Sequence, residues 1–377
     1  AAESDTGTYG LLAFNTDGFE LGTGGGAMWG RDSGNNEVAT WTFRKAEKFF
    51  DVVTYTGDGS TTTHNHNLGS TPAVIIVKRL DSTSPWSMYH KDATDTVRSG
   101  EDLMLYLNTT AAATYLGSTL WAATDSTFTT TGGGNFNASG GTYVAYLFAS
   151  DAGGFGDDGS ESIIKCGSYT GNGNSDGPEV NLGFEPQFLM VKNTTGGNWV
   201  IADTMRSFGL EDMASLYPNA SNAESTIIAG KGITPTATGF KCIDGNATTN
   251  QNTETHIYIA IRRPMKTPES GTEVYQTDTL GGTLPNPPAY YSGFAADWSL
   301  SKRTSASGDW FVGTRLTQGN YLKTNTTAAE VNEGTPNITA FDYSTGVRAG
   351  TTVNSGFRGY MFKRATGFFD VVAYTGT

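Results

Sequence analysis

The chain has 377 residues, 37 acidic against 24 basic side chains, a formal net charge of −13 and a sequence pI near 4.7. That balance repels phosphate backbones and no basic stripe interrupts it, so nucleic acid is excluded as a partner. No stretch approaches the roughly 18 consecutive apolar residues that a spanning helix needs, so no membrane insertion is expected.

Glycine supplies 49 residues and aromatics 12%, while charged residues make up only 16%. Short runs of Val, Ile, Thr, Tyr and Phe with period-two alternation, punctuated by Gly and Asn, specify strands and turns. The expected fold is all-β. Long helical periodicity is absent, and the best helical candidate is the short stretch Arg206 to Leu216.

In chain order, residues 1–45 end in an aromatic closing phrase, Thr40-Trp41-Thr42-Phe43-Arg44-Lys45, and read as the C-terminal half of a preceding module. Module one, 46–156, opens on Phe49-Phe50-Asp51-Val52-Val53-Thr54-Tyr55-Thr56-Gly57. A strand ending in Lys78 then leads through a polar loop to Trp86, and Leu107-Asn108-Thr109-Thr110-Ala111-Ala112 forms a turn. The module closes on Thr142-Tyr143-Val144-Ala145-Tyr146-Leu147-Phe148. Module two, 157–267, repeats the order with Ile163 to Gly171, Lys192, Trp199, Asn219 and His256 to Ile261. Module three, 268–364, has Lys302, Trp310, Asn325 and Phe357 to Arg364, with a weaker opening phrase near Val274-Tyr275. Residues 365–377 restate the opening phrase almost verbatim as the first strand of a following module.

The tryptophans recur about 110 residues apart, too long for a small solenoid unit and suited to a β-sandwich-like domain with its own core. The array is expected to be a window of a longer repetitive polypeptide. A closed ring is disfavoured because 1–45 together with 365–377 lacks the lysine–tryptophan hairpin. The repeated structural positions are therefore Lys78, Trp86 and Asn108, then Lys192, Trp199 and Asn219, then Lys302, Trp310 and Asn325. An aromatic at the start of a return strand is most economically read as core packing, with a sugar-stacking platform as the functional alternative.

No nucleophile elbow, phosphate-binding loop, HExxH motif or zinc-spaced cysteine pair is present, so no catalytic residue, metal or cofactor is assigned. His64 and His66 could face one metal, but module two has Asn181-Leu182-Gly183 after its opening strand with no histidine before it. A polar loop leading into Asn67-Leu68-Gly69 is preferred. The only other histidines are His90 and His256. Asp151, Asp157, Asp158 and Glu161 lie in a glycine-rich linker and could hold a hard cation or simply be solvated. Asp203 of module two corresponds to Lys91 and Arg315 in its siblings, so no carboxylate pair is singled out for glycoside cleavage. Cys166 and Cys242 fall in module two as possible neighbours in one sheet, either paired or inert. The Asn-x-Ser/Thr triplets at Asn108, Asn137, Asn193, Asn219, Asn246, Asn325 and Asn337 are read as turn chemistry.

The opening phrase, Asn67-Leu68-Gly69 with Pro72 and Ile75 to Arg79, the Leu107–Ala113 turn, and Asn137 to Ala149 together resemble a repeat family found in large structural proteins of tailed phages, notably those of marine bacteria and cyanobacteria. The resemblance is strongest in module one and loosest in module three. It implies a virion surface component, a tail fibre or appendage that attaches to host glycan or extends the particle. The alternatives are a capsid decoration protein and, from another class, a polysaccharide depolymerase. A homotrimer together with other virion proteins is the expected partner set, because few charges guard the sheet edges of such an array.

Overall fold

The computed structural model describes residues 11–16, 18–21, 39–95, 101–115, 121–206, 208, 213–227, 232–264, 266–280, 290–317, 320–332, 340–348 and 356–372. The fold is all-β, built of antiparallel sheets. Helix among the described residues is limited to Ala247–Asn250 and two short 3-10 turns. Compactness divides the chain into two units, residues 1–89 with 116–152, and residues 90–115 with 153–377.

In the first unit the opening strand Phe50–Thr56 pairs with the closing strand Thr142–Phe148, which pairs on its other side with Val74–Arg79. Register places Tyr143 opposite both Tyr55 and Arg79. Val74, Ile75, Ile76 and Val77 are all buried, as expected of a strand covered on both faces rather than one alternating between core and water. A second sheet of Thr62–Asn65 and Thr127–Thr130 lies within the same unit and contributes the buried Phe128.

The second unit contains two further sheets of the same order. Ile164–Thr170, Thr255–Arg262, Pro186–Asn193 and Trp199–Asp203 lie side by side in that sequence. So do Tyr275–Thr279, Phe357–Phe362, Trp298–Arg303 and Trp310–Thr314, extended by Asn320–Lys323 and Val331–Asn332. In every case the last strand of the set inserts between the first and second. Each sheet of the second unit shares its core with a smaller sheet. Tyr169, Leu189, Val191, Val200 and Tyr258 pack with Leu182, Ile233, Phe240 and Cys242. Met361 and Ala296 pack with Tyr290, Phe341 and Val347. This is sandwich-like packing of two inner faces.

Three sequence expectations need correction. The stretch offered as a helix contains the strand Met213–Ser215, paired with Ser225–Ile227, and Leu216 bridges Ile201. Its residues 207 and 209–212 lie outside the described residues. Burial of Met213, Ala214 and Ser215 overrides their local propensity. Cys166 and Cys242 are not neighbours in one sheet but lie on strands of different sheets, and both are free buried thiols, the inert one of the two readings. His64 is not in a polar loop but on the strand Thr62–Asn65, buried against Tyr55 at a ring separation of 4.0 Å. The opening strand of the third sheet, weak in sequence, is present as Tyr275–Thr279 and pairs with the closing strand over its full length.

One repeated turn shows how the same backbone is built from different residues. Ala46 bridges Phe50, and Ala365 bridges Phe369, each pair closed by a backbone bond from the phenylalanine N–H to the alanine carbonyl. The position two residues before the second phenylalanine has positive φ in both, +62° at Lys48 and +74° at Gly367. Glycine adopts that conformation freely, whereas lysine pays for it in strain. A basic residue then reaches the aspartate that follows the turn. Lys45 Nζ is 2.6 Å from Asp51 Oδ1, and Arg364 Nε is 2.6 Å from Asp370 Oδ1.

Candidate functional site

The lysine–tryptophan phrase is one hairpin device made three times. In each hairpin the lysine ammonium donates to the loop carbonyl two residues before the tryptophan. Lys78 Nζ reaches Ser84 O at 3.1 Å, Lys192 reaches Gly197 O, and Lys302 reaches Gly308 O. Strand pairing sets Lys192 opposite Trp199 and Lys302 opposite Trp310. The lysine stem thus lies along the sheet while its head ties down the loop, a charge-assisted bond to a group that would otherwise be unpaired. Lys78 and Lys192 are both buried. Burial holds both ammonium groups below the ordinary lysine value, Lys192 at about 8.

The asparagine turn completes the device. Asn219 Oδ1 accepts the backbone N–H of Trp199 at 2.8 Å, and Asn325 Oδ1 accepts that of Trp310 at 3.0 Å. Their amide nitrogens donate to the residue preceding each tryptophan, Asn198 Oδ1 and Asp309 Oδ1, both at 2.9 Å. Asn108 lies at the corresponding point after the strand Glu101–Tyr106 and is exposed.

The tryptophans themselves differ. Trp199 is 1% exposed and its indole N–H donates to Tyr106 O at 3.0 Å. Trp86 is half-buried, stacked at 6.3 Å on Tyr146, and Trp310 is half-buried with Lys302 over its ring at 5.6 Å. Core packing therefore describes Trp199 and only half describes the other two. Trp199 is covered because residues 106–113 dock on its hairpin. Besides the indole bond, Ala113 N–H donates to Thr194 O at 2.7 Å and Lys192 Nζ lies 3.4 Å from Thr110 O.

Two further constellations were not singled out in the sequence. The phrase Tyr-Thr-Gly, recognised as a repeat, holds a buried asparagine from the far end of the same copy. Tyr55 OH donates to Phe136 O and Tyr169 OH to Thr249 O. The next residues, Asn137 and Asn250, are 0% exposed. Asn137 Nδ2 donates to Ser60 O at 2.6 Å while its Oδ1 accepts from Asp58 N at 3.2 Å. Asn250 Nδ2 donates to Asp244 O at 2.7 Å while its Oδ1 accepts from Asn172 N at 2.8 Å. The glycine of the phrase is required by proximity, since a Cβ on Gly57 would meet the Ala138 carbonyl and one on Gly171 the Gln251 carbonyl. In the sequence Asn137 shows only a triplet and the start of the closing phrase, and Asn250 has no local signal.

The second constellation is a buried ion cluster. Arg364 makes a two-pronged pair with Glu185 at 2.6 and 2.7 Å, with residue exposures of 6% and 9%. Arg263 approaches Glu185 at 3.4 Å, and Asp297 accepts the Arg364 backbone N–H at 2.7 Å while pairing with Arg315 at 3.1 Å. These residues join the second and third sheet groups.

The remaining candidates are held in local contacts. His64 Nε2 shares a 2.9 Å hydrogen bond with Thr130 Oγ1, and His66 Nδ1 accepts from Leu68 N at 3.1 Å. Asp158 accepts from Ser160, Glu161 pairs with Arg262 at 3.0 Å, and Asp157 accepts from Thr267 Oγ1 at 3.4 Å. Asp203 pairs with Arg206 at 2.7 Å. Burial raises both thiols, that of Cys242 to about 12. Among the described residues no three His, Cys, Asp or Glu side chains converge to hold a metal ion. Asn193 and Asn246 each accept the backbone N–H two residues on through Oδ1, the turn role expected of them, whereas Asn219 and Asn325 accept from Trp199 and Trp310, 20 and 15 residues away, and Asn337 lies outside the described residues.

Fold and site together define an all-β chain in which one lysine–tryptophan hairpin recurs on sheets that share the order of four strands, joined by an asparagine in the second and third. The chain belongs to the family described as a domain of unknown function (DUF7483), whose model matches residues 1–264. The match ends just past the closing strand Thr255–Arg262. No curated protein and no solved structure matches the chain.

Proposed function

We propose that this chain is a structural protein on the surface of a tailed-phage particle, a tail fibre or appendage of tandem modules that builds the particle outward and presents weak contacts to host glycan. The observation that carries the reading is the threefold recurrence of the lysine–tryptophan hairpin. Lys78, Lys192 and Lys302 each secure the same loop carbonyl, and the copies interlock through Trp199 with Tyr106 and Arg364 with Glu185. Repetition multiplies weak contacts by avidity, which suits attachment and extension better than turnover. The resemblance of the opening, turn and closing phrases to phage structural repeats supports the same reading. The resemblance assigns no catalytic residue, and the few charges that guard the sheet edges support assembly of the chain with itself, as a trimer, and with other virion proteins.

The test is to locate the chain. Mass spectrometry and gold-labelled antibody imaging of purified particles should find it on an external appendage, and its absence from particles overturns the reading. Incubation with host surface polymer should release no oligosaccharide, and release would favour a depolymerase instead.

A further inference from the structure

Residues 324–329 repeat the docked turn of the first copy, and among the described residues no hairpin seats on them. Asn325-Thr326-Thr327-Ala328-Ala329 is identical in sequence to Asn108-Thr109-Thr110-Ala111-Ala112. The local geometry is also the same. Thr109 N–H donates to Tyr106 O at 3.3 Å and Ala111 N–H to Thr109 Oγ1 at 3.3 Å. Thr326 N–H donates to Lys323 O at 3.4 Å and Ala328 N–H to Thr326 Oγ1 at 3.4 Å. Their surroundings differ. Leu107, Thr109 and Ala113 are half-buried beneath the Lys192–Trp199 hairpin, whereas Thr324, Thr326 and Ala328 are exposed.

The complementary half is present in the same copy. The hairpin Lys302–Trp310 has the lysine, the loop carbonyl and the tryptophan of the docked hairpin. Trp310 is half-buried rather than sealed, and among the described residues nothing accepts its indole N–H. Trp199 uses that same N–H to hold a turn from another copy.

We propose that the third clamp is an interface for a second copy of this chain, the Lys302–Trp310 hairpin of one copy seating on the Thr324–Glu330 turn of the other as Lys192–Trp199 seats on residues 106–113. The docked pair within the chain is the template. The indole N–H of Trp310 donates to the carbonyl that ends the partner's Asn320–Lys323 strand, and the Lys302 ammonium is shared between Gly308 O and the partner turn. Because the turn is already folded, docking orders little additional backbone. The inference deepens the assembly reading above and rests on it for its biological setting.

Sedimentation velocity on the full chain should show a concentration-dependent species heavier than the 39.9 kDa of one chain. Ala328→Arg, in an exposed turn, should return it to single-chain mass with an unchanged melting temperature. Lys302→Met with Trp310→Phe should do the same from the hairpin side, and mixing the two variants should restore a mixed complex because each retains the half the other lacks. Ala111→Arg, in the turn already docked within the chain, should lower the melting temperature instead. A chain that stays single at every concentration overturns the proposal. So does association that survives Ala328→Arg, or failure of the mixed variants to recombine. Absence of the chain from phage particles would sink the assembly reading while leaving these outcomes to decide the interface.

Discussion

Across 20 residues of chain, the carboxamide of Asn219 accepts the backbone N–H of Trp199 at 2.8 Å and so ends the asparagine turn against the start of the hairpin's return strand. Asn325 holds Trp310 in the same way, but its amide group faces Asp309 where that of Asn219 faces Asn198. Asn219→Ala should cost about 1–3 kcal/mol, the expense of leaving a partly buried donor unpaired, and Asn325→Ala less, because water can replace the acceptor at that exposed bond. Substitution by aspartate separates the sites. Asn219→Asp keeps the acceptor and should be milder than alanine, whereas Asn325→Asp sets two carboxylates against each other and should be worse at neutral pH than at pH 3. Chemical denaturation of the four variants at both pH values checks this.

Trp199→Ala should destabilise its region by about 3–5 kcal/mol, the range for truncating a core aromatic. Trp310→Ala should cost clearly less, because that ring is only half-buried. Trp199→Phe should retain most of the packing and lose the bond to the Tyr106 carbonyl. Calorimetry ranks the three, and a Trp199→Ala protein that melts normally while losing glycan binding would make the ring a ligand platform.

His90 should make the fold acid-sensitive. Its Nδ1 accepts the Asp92 N–H at 3.2 Å, so the proton of the neutral ring sits on Nε2, 3.0 Å from the Tyr258 carbonyl. A second proton would go to Nδ1 and leave the Asp92 N–H without its acceptor in a fully buried site, and burial lowers the pKa to about 4. The folded value lies below the unfolded one near 6.5, so the contribution is complete above pH 6.5 and is lost as pH falls toward 4, about 3 kcal/mol in all. Burial lowers His64 and His256 as well, so the readout is a difference. Stability of wild type minus that of His90→Gln should fall across this window, and a flat difference would refute the assignment.

Glu185→Leu should destabilise, but by less than the roughly 3–5 kcal/mol of a fully uncompensated buried charge, since Asp370 still pairs with Arg364. Glu185→Leu with Arg364→Met should recover much of that loss. A double variant as unstable as the sum of the singles would show that the pair contributes no coupling.

The strand phrases were legible because they carry period-two apolar patterns and recur. Tyr55-Thr56-Gly57 and Tyr169-Thr170-Gly171 were visible as copies of each other before their purpose was. That purpose, a cradle for Asn137 and Asn250, depends on residues about 80 positions away and leaves no local trace. Trp86, Trp199 and Trp310 look alike in sequence, yet only Trp199 is sealed, because its exposure is set by a turn from another copy. The stretch Arg206 to Leu216 misled for the same reason, its strand being fixed by pairing with Ser225–Ile227. Glu185 and Arg364, separated by 179 positions, were beyond any reading of spacing.

The docking of residues 106–113 on the Trp199 hairpin puts the repeat and the folding unit out of phase. Duplication counts from one opening strand to the next, but burial counts from the middle of one copy to the middle of the following one. A fragment cut at residues 157–267 would leave the Trp199 indole and the Lys192 ammonium facing water and should tend to associate through them. A fragment begun at residue 90 would carry its own cover, and gain or loss of copies during evolution would be best tolerated at such staggered joints.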